Sequence, residues 1–575
     1  MRAQTTGPKR GGMRRGVLLG FVAVVGLGAA GVQAARLANA DKRGLNVFSI
    51  EQVLRLPEEE IDLCTAALSL SRQWGTSQSM YRYRDRVDEM AEEVLKRLEQ
   101  RRLRPDARAL VVINEYLFDE LGFATVPTAD NPEDLFLHSV LDNKRGYCLS
   151  LSILYMSIAE RIGMPVYGVV VPGHFFVRYD DGRSRYNIET TSRGGCATDE
   201  HYAEKFQVPG GGNSIYLRNL TKTETLGCFF NNLGNSYDAV GDIEQARVAL
   251  ERAVQINPGL GEAHTNLGNI YLKQGHVKEA ITQYESALRI IRSDAKTYNN
   301  LGNAYARLGQ LNQAVAYYQM ALRLDGRFVE AHRNLAQAYL EQGRADRAIG
   351  QLRKALSLRA DDAATYTQLG DAYRLAQDRP KAVAAYTRAL ELAPDHVAAR
   401  VNLGFCYLDD ERIDAATEQF RIAMDQDPAE ANAYFGLAQC YARSDMTTDE
   451  IQTYQALLRI APDMVAAMQN LGNAHVKLKQ YDQAVVLYAR ALEHQPDNAG
   501  LRYNLGVAYA SNEQYDLARD QYFYAIELDP QMAAAHNALA ICCYMLKQYD
   551  LARKHAQIAQ QLGFPVQKAL LDALK

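Results

Sequence analysis

The chain has 575 residues, of which 47% are hydrophobic and 23% charged, and its formal net charge is −4 at pH 7. A chain of this length and apolar content exceeds one ordinary domain and is not disordered as a whole. Because no basic block follows the N-terminus, the sequence argues against a nucleic-acid partner.

The first 40 residues have the order of a targeting segment. Five basic residues open it, residues 16–32 are apolar and uncharged, and small residues follow at Ala34, Ala38 and Ala40. This order is typical of a secretory signal peptide, although an apolar run of about 17 residues also lies at the short limit of a spanning helix. We therefore expect residues 1–40 to be a signal peptide or an N-terminal membrane anchor. Either would place the protein across or in the cytoplasmic membrane, in the bacterial periplasm or cell envelope.

Residues 45–223 are predicted to form one domain of mixed secondary structure. Residues 49–74 and 80–101 carry apolar side chains at helical spacing. Residues 135–163 predict a helix, a glycine turn and a long helix that begins at Cys148.

Three strands are predicted next, over residues 166–171, 174–179 and 185–190. The Asp-Asp-Gly sequence at 180–182 is a hairpin signal between the last two.

Three side chains of this domain form a candidate catalytic site. Cys148 opens a helix, where the dipole and the free N–H groups favour a thiolate. His174 begins a strand and can act as the base, and Glu189, on the returning strand, can orient the imidazole. A thiol activated by an oriented base is what nucleophilic acyl transfer requires. Taken singly, each residue has an ordinary structural explanation: a small buried cysteine, a turn histidine and a solvated strand glutamate.

The motifs around these residues resemble the transglutaminase-like superfamily, in a branch whose members often carry helical repeats downstream. The matching pieces are RGYCLSLS at 145–152, GMPV at 163–166, PGHF at 172–175 and IE at 188–189. The resemblance implies an α+β, papain-like fold with Cys148 as nucleophile, His174 as base and Glu189 as orienting acid. Many members have Asp where Glu189 stands, and some branch members lack the cysteine. The fold hosts hydrolysis, cross-linking and deamidation of amides as well as non-catalytic scaffolds, so it does not choose among them.

A 34-residue period runs through residues 227–566 without an insertion. A small residue recurs at every step, an alanine follows twelve residues later in nine of the ten units, with Glu450 in the other, and prolines close six units. The small position is occupied by Gly234, Gly268, Gly302, Ala336, Gly370, Gly404, Ala438, Gly472, Gly506 and Ala540.

Each column has a physical cause. The small residue and the alanine allow two helices of a hairpin to approach closely, and proline ends the second helix. Gly241, Gly275, Gly309 and Gly343 lie between the helices, where a left-handed residue closes the first one. The columns closely resemble the tetratricopeptide repeat (TPR). They imply an α-solenoid of ten helical hairpins, with residues 567–575 as a C-terminal capping helix.

Two columns of asparagines fall on the first helix of the repeats. They lie three residues apart and so share a helix face. The first contains Asn232, Asn266, Asn300, Asn334, Asn402, Asn470 and Asn504, and the second contains Asn235, Asn269 and Asn303. A row of amides can bond the backbone of an extended peptide, and it resembles the asparagine ladder in the TPR arm of O-linked N-acetylglucosamine transferases. Alternatively, these asparagines suit an exposed surface or bond between neighbouring repeats.

The sequence thus predicts an α-solenoid preceded by an α+β transglutaminase-like domain and an N-terminal hydrophobic segment. The leading hypothesis is that a protein or peptide binds the repeats while Cys148, His174 and Glu189 act on its amide bonds. The alternative is a non-catalytic scaffold for envelope protein complexes. Because the eight cysteines include no C-x-x-C pair, we expect neither a metal site nor another cofactor.

Overall fold

The computed structural model describes residues 49–74, 79–128, 130–208 and 215–574. The predicted targeting segment, residues 1–40, lies outside these ranges. No helix within them combines the length and apolar character needed to cross a membrane. The chain divides into two compact units, Met1–Gly326 and Arg327–Lys575.

The first unit begins with a mixed domain of helices and short strands. Its elements are α1 (Ile50–Val53), α2 (Leu63–Trp74), α3 (Met80–Gln100), α4 (Ala109–Asn114), β1 (Ala124–Thr125), α5 (Leu137–Asn143), β2 (Arg145–Gly146), α6 (Cys148–Arg161), β3 (Val166–Val171), β4 (His174–Asp180), β5 (Arg185–Ile188) and α7 (Asp199–Lys205).

Helix α6 is the centre of this domain. All its residues from Cys148 to Ala159 are buried, and it packs against α2, α3, β3 and β4. Strands β3, β4 and β5 form an antiparallel sheet in that order, and the tight β3–β4 turn pairs Val171 with His174. The helix and the sheet therefore bring the start of α6 and the start of β4 to the same region.

Two local predictions needed correction. The predicted helix over residues 49–74 is interrupted between α1 and α2, where Pro57 precedes a short 3-10 turn at Glu58–Glu60, because proline cannot continue the backbone hydrogen bonding of a helix. The turn before α6 is made by Lys144, which has a φ of 54°. Gly146 lies instead in β2, where an added Cβ would come 2.7 Å from Ser150 Oγ and 2.8 Å from Val140 Cγ2.

Three helical hairpins complete the first unit. Their helices are α8 (Lys222–Ala239), α9 (Ile243–Ile256), α10 (Gly261–Lys273), α11 (Val277–Ile290), α12 (Ala295–Arg307) and α13 (Leu311–Leu324).

The second unit contains seven hairpins and a short terminal helix. Its helices are α14 (Val329–Glu341), α15 (Ala345–Leu358), α16 (Ala363–Leu375), α17 (Arg379–Leu392), α18 (Val397–Asp409), α19 (Ile413–Gln426), α20 (Ala431–Arg443), α21 (Thr447–Ile460), α22 (Val465–Lys477), α23 (Tyr481–His494), α24 (Ala499–Ser511), α25 (Tyr515–Leu528), α26 (Ala533–Met545), α27 (Tyr549–Gln561) and α28 (Lys568–Ala573).

Close helix contact explains the small-residue column. A Cβ added to Gly268 would lie 2.6 Å from Tyr284 Cε1, and one added to Gly370 would lie 2.4 Å from Tyr386 Cε1. The alanine column is fully buried, and Glu450, which replaces alanine in one repeat, is only 3% exposed. These contacts confirm the predicted reason for both columns within each unit.

The turn inside each hairpin has a left-handed residue. The four glycines predicted there have φ between 71° and 82°. In later repeats the same column holds residues other than glycine, which adopt the same conformation with φ between 56° and 63° at Gln377, Glu411, Asp445, Lys479, Glu513 and Lys547.

Candidate functional site

Cys148 occupies the first position of α6, and Tyr147 is the N-cap residue. The Tyr147 side chain makes no capping hydrogen bond, so the first backbone N–H groups of α6 have no partner from that side chain. Cys148 is only 4% exposed. The sequence therefore places a sheltered sulfur against the positive end of a helix.

His174 and Glu189 meet across the small sheet. Nε2–H of His174 donates to Oε2 of Glu189 at 2.6 Å, and the two side chains are 15% and 13% exposed. The Cys148 thiol lies close enough to the imidazole to contribute, with Glu189, to the raised pKa of His174. Since the carboxylate engages Nε2, Nδ1 is the ring nitrogen that remains for the thiol.

The Glu189 carboxylate is fixed by two neighbouring residues as well as by His174. The backbone N–H and the hydroxyl of Thr191 donate to Oε1 at 3.1 and 2.5 Å, and the Tyr202 hydroxyl donates to Oε2 at 3.2 Å. The hydroxyl of Thr190, the residue between Glu189 and Thr191, donates to the backbone carbonyl of Cys148 at 3.4 Å. The acid is therefore tied both to the base and to the first turn of α6.

Helix α7 supplies an aromatic wall for the imidazole. Phe206, which ends α7, stacks on His174 with ring centroids 4.9 Å apart and an interplanar angle of 4°. The buried guanidinium of Arg178 pairs with Asp199 in the first turn of α7 and donates to Asn187 Oδ1 at 2.7 Å. This bonding joins α7 to β4 and β5, so it holds the ring that packs on His174.

The surroundings favour the charged forms of His174 and Glu189. Burial opposes protonation of the imidazole, but hydrogen bonds with Cys148 and Glu189 outweigh it and raise the pKa of His174 to about 9. Burial alone would raise the pKa of Glu189, but His174 and Thr191 outweigh it and lower that pKa. At neutral pH the site therefore holds an imidazolium beside a carboxylate.

The structure brings together all three residues of the predicted catalytic site. One detail of the prediction was wrong: Glu189 is not on a strand, because β5 ends at Ile188 and Glu189 begins the 3-10 turn Thr190–Ser192. Its backbone pairs with Gly195 in an isolated bridge instead. Sequence reasoning missed Thr191, Tyr202 and Phe206 because their contacts depend on this turn and on the position of α7.

A second carboxylate reaches the Gly173–His174 turn from the repeats. Oε1 of Glu262, in the first turn of α10, accepts from the Gly173 N–H at 3.2 Å. Tyr216 is a further hydrogen-bond partner, and burial raises the pKa of Glu262 to about 7. Glu262 also acts electrostatically on Tyr147, the residue before the nucleophile.

The asparagine columns of the first unit form bonds between neighbouring repeats. Nδ2 of Asn300 donates to Oδ1 of Asn269 at 2.9 Å, and that oxygen also accepts from the Tyr284 hydroxyl at 2.8 Å. Nδ2 of Asn266 donates to Oδ1 of Asn231 at 2.9 Å. The inter-repeat alternative thus describes these amides. Asn266 and Asn300 each keep a carbonyl oxygen and a second N–H beyond the pair described, whereas the Asn269 oxygen already accepts from two donors.

The second unit repeats this arrangement with other residues. Nδ2 of Asn402 donates to Oδ1 of Asp371 at 2.9 Å, and Tyr386 donates to the same oxygen at 2.6 Å. Nδ2 of Asn470 donates to the Tyr454 hydroxyl at 3.1 Å. Across both units, four further asparagines of the predicted columns are half-buried: Asn232, Asn303, Asn334 and Asn504. Asn235 is exposed. Peptide binding by these columns stays a prediction.

The described residues include no group of three or more His, Cys, Asp or Glu side chains arranged to hold a metal ion.

Different family models match the mixed domain and the helical hairpins. A model described as the transglutaminase-like superfamily matches residues 81–224. Models of the tetratricopeptide repeat match residues 234–343 in three overlapping copies, residues 328–395, and three segments between 407 and 563.

Two curated relatives match only part of this chain. A UPF0162 protein of Xylella fastidiosa is 30% identical over 128 residues, which are 22% of this chain and 45% of that protein. F-box only protein 21 of Mus musculus is 34% identical over 77 residues, 13% of this chain and 12% of that protein. The chain thus spans less than half the length of these relatives.

Solved structures of TPR proteins are similar to part of this chain. The crystal structure of YrrB, described as a TPR protein with an unusual peptide-binding site, is 25% identical with a TM-score of 0.27, and covers 30% of this chain and 89% of its own. By its family matches and its fold, this chain consists of a transglutaminase-like superfamily domain followed by tetratricopeptide repeats.

Proposed function

We propose that this protein is a cysteine-dependent enzyme that acts on amide bonds of a protein or peptide held by its repeats. The observation that carries the proposal is the hydrogen bond of His174 with Glu189, together with the Cys148 thiol that contributes to the raised pKa of the same imidazole. A thiol, a base and an acid that orients the base are the parts that acyl transfer needs. The transglutaminase-like match over residues 81–224 supports the same chemistry.

In the proposed reaction, Cys148 is first acylated by the amide and the resulting thioester is then cleaved. The Cys148 thiolate attacks the carbonyl carbon of the amide, and the backbone N–H groups at the start of α6 stabilise the oxyanion. The C–N bond then breaks, the His174 imidazolium gives its proton to the departing amine, and a thioester remains on Cys148. In the second step water or a second amine attacks the thioester, His174 takes the proton of this nucleophile, and the thiolate leaves.

Glu189 keeps the imidazole in position throughout. Its carboxylate stabilises the imidazolium before the first proton transfer and again after the second. Thr191 and Tyr202 hold the carboxylate, so its orientation does not depend on His174 alone.

The repeats provide the partner-binding part of the proposed function. Stacked helical hairpins are a protein-binding architecture, and the half-buried amides of Asn266 and Asn300 offer donors and acceptors to an extended chain.

Thiol alkylation tests the proposed site. Iodoacetamide is added near pH 7, and each cysteine is followed by peptide mass spectrometry. We expect Cys148 to react at least about tenfold faster than Cys196, although Cys196 is exposed and Cys148 is buried. Cys196 is a useful control because partial desolvation of its sulfur raises the pKa of the thiol although the residue is exposed overall, and its thiol donates to the Gly194 carbonyl and not to a base.

His174→Ala should remove the preference for Cys148. Equal rates at Cys148 and Cys196 in the native protein, or an unchanged Cys148 rate in His174→Ala, would contradict the enzyme and favour a non-catalytic scaffold.

We also propose that residues 1–40 direct the chain across or into the cytoplasmic membrane. The order of basic, apolar and small residues supports this. Expression in a bacterium, fractionation and N-terminal mass measurement test it. Cleavage near Ala34 to Ala40 indicates a signal peptide, and an intact chain in the membrane fraction indicates an anchor. An intact chain in the soluble cytoplasmic fraction would contradict both.

A further inference from the structure

The catalytic turn and the first repeats are joined through one side chain. Glu262 belongs to the second helical hairpin, yet its Oε1 accepts from the N–H of Gly173, the residue before His174. Its other partner is Tyr216. The array therefore supports the turn that begins β4 and carries the proposed base.

The asparagine columns begin on the same face of the same helix. Asn266 lies four residues after Glu262 in α10, and side chains at this spacing are neighbours on a helix surface. Asn269 lies one further turn along. A chain that follows these amides toward the N-terminal end of α10 therefore arrives at Glu262 and the Gly173–His174 turn.

The neighbouring repeats bond to these amides on both sides. Nδ2 of Asn266 donates to Oδ1 of the buried Asn231 of α8, and Nδ2 of Asn300 of α12 donates to Oδ1 of Asn269, each at 2.9 Å. We call the half-buried amides of Asn266, Asn269 and Asn300 the amide face of the first unit. Because each first-column amide uses one N–H between repeats, its carbonyl oxygen and second N–H are the groups that can bond a ligand backbone.

Tyr147 precedes Cys148 and is the half-buried N-cap residue of α6. Burial raises the pKa of its hydroxyl, and Cys148 and Glu262 add to this increase. The field at the start of α6 therefore includes the Glu262 carboxylate of the repeats.

We infer that the amide face and the Cys148–His174 pair form one continuous substrate site, which takes an extended peptide segment and not a small amide. The inference rests on the proposed function and adds the substrate class. Main-chain bonding by amides gives affinity for the peptide backbone with little side-chain selectivity. Glu262 marks the place where the bound segment passes from the repeats to the catalytic turn.

Peptides of two lengths that carry the same electrophile test this inference on the full chain. The probes are uncharged Ala-Thr peptides of two and twelve residues, each ending in a vinyl sulfone that accepts the Cys148 thiolate at its β-carbon while His174 protonates the α-carbon. An extended peptide advances about 3.3 Å per residue, so the longer probe spans roughly 40 Å. The rate constant for Cys148 modification is measured for each, with iodoacetamide as the probe that needs no peptide binding.

We expect the longer probe to react at least about fivefold faster, which corresponds to one or more retained backbone hydrogen bonds. Asn266→Ala and Asn300→Ala should each reduce this advantage while iodoacetamide reacts at the native rate. Thr282→Ala, at an exposed position of α11, is the matched control and should keep the advantage. The unchanged iodoacetamide rate shows that the asparagine variants retain a folded catalytic site.

The outcomes that contradict the inference are distinct. Equal rates for the two peptides, with fast iodoacetamide reaction at Cys148, would overturn the extended-peptide site and leave the proposed enzyme standing. A length advantage that survives both asparagine variants would overturn the role of the amide face. A Cys148 that is slow with every reagent would overturn the proposed function and this inference together.

Discussion

The Glu189 carboxylate divides its two oxygens between different tasks. Oε2 accepts from Nε2 of His174 at 2.6 Å, while Oε1 is held by the backbone and hydroxyl of Thr191. The acid is thus positioned by its own turn before it meets the base. Glu189 begins a 3-10 turn outside the strand, and this turn places its carboxylate against His174.

Replacing Glu189 by glutamine should lower the pKa of His174 by at least about 1, because the opposite charge beside the imidazolium is lost. The pKa is measured from the NMR shift of the His174 ring proton between pH 5 and 10. Glu200→Gln, which removes an exposed carboxylate from α7, is the control and should leave the titration unchanged. An equal titration midpoint in Glu189→Gln and the native protein would show that the carboxylate does not stabilise the imidazolium.

The His174–Glu189 pair should also make the free energy of unfolding depend on pH in the alkaline range. The pKa of His174 is about 9 in the folded protein against 6.5 for an ordinary histidine, so protonation favours folding. The contribution is fully present below pH 6.5 and is lost as the pH rises through 9, and it amounts to about 3 kcal/mol at most. Urea unfolding followed by the fluorescence of Trp74, the single tryptophan, reports on this domain.

This prediction is tested by comparing the native protein with the His174→Gln variant. The difference in unfolding free energy between the native protein and the variant should shrink steadily between pH 6.5 and 10. A difference that is constant over this range would mean that the imidazole is not protonated in the folded state.

The close contact at the small-residue column predicts opposite effects for two glycine substitutions in the second unit. Gly370→Ala should destabilise the unit by about 1 to 3 kcal/mol, because the new Cβ would lie 2.4 Å from the Tyr386 ring. Gly350→Ala, where no atom lies within 4 Å of the new Cβ, should stabilise α15 by about 0.5 to 1 kcal/mol. Urea titration followed by circular dichroism measures both, and a loss of stability in both variants would contradict the contact.

Glu450 offers a test of the alanine column. Its side chain is buried and pairs with Nζ of Lys477 at 3.5 Å, and burial raises its pKa. Glu450→Ala should stabilise the second unit by about 1 kcal/mol near neutral pH, because an imperfectly paired buried charge is removed, and Lys477 is 49% exposed.

The gain from Glu450→Ala should shrink as the pH falls, since the native carboxyl becomes neutral and the variant no longer has an advantage. Urea midpoints at neutral and acidic pH measure this. Glu418→Ala in α19 is the control, because it removes an exposed, solvated charge and should change stability little. A loss of stability in Glu450→Ala at neutral pH would contradict the buried-charge explanation.

The repeats could be predicted from the sequence because each column is local. The 34-residue period, the glycine turns and the buried alanines all follow from the packing of one hairpin. This hairpin pattern occurs ten times in the sequence. One further column was available and was missed: the buried aromatic residues sixteen positions after the small residue, such as Tyr284, Tyr318 and Tyr386. They explain why the position opposite them is glycine.

The positions of Cys148, His174 and Glu189, the proposed catalytic trio, could also be predicted, because helix start, strand start and hairpin turn are local signals. The residues that hold this trio in place could not be predicted from the sequence. Phe206 and Tyr202 reach His174 and Glu189 only through the position of α7. Glu262 looks like an ordinary acidic residue of a first helical turn until the tertiary structure places it against Gly173. The partners of the asparagine columns likewise depend on distances between helices.

The most direct measurement is the ultraviolet absorbance of the Cys148 thiolate near 240 nm. It is obtained as the difference between the native protein and Cys148→Ser between pH 5 and 8.5. We predict the absorbance of one thiolate near neutral pH in the native protein and its loss in the His174→Ala background. No thiolate absorbance below pH 8, or the same absorbance with and without His174, would contradict the proposed nucleophile and its base.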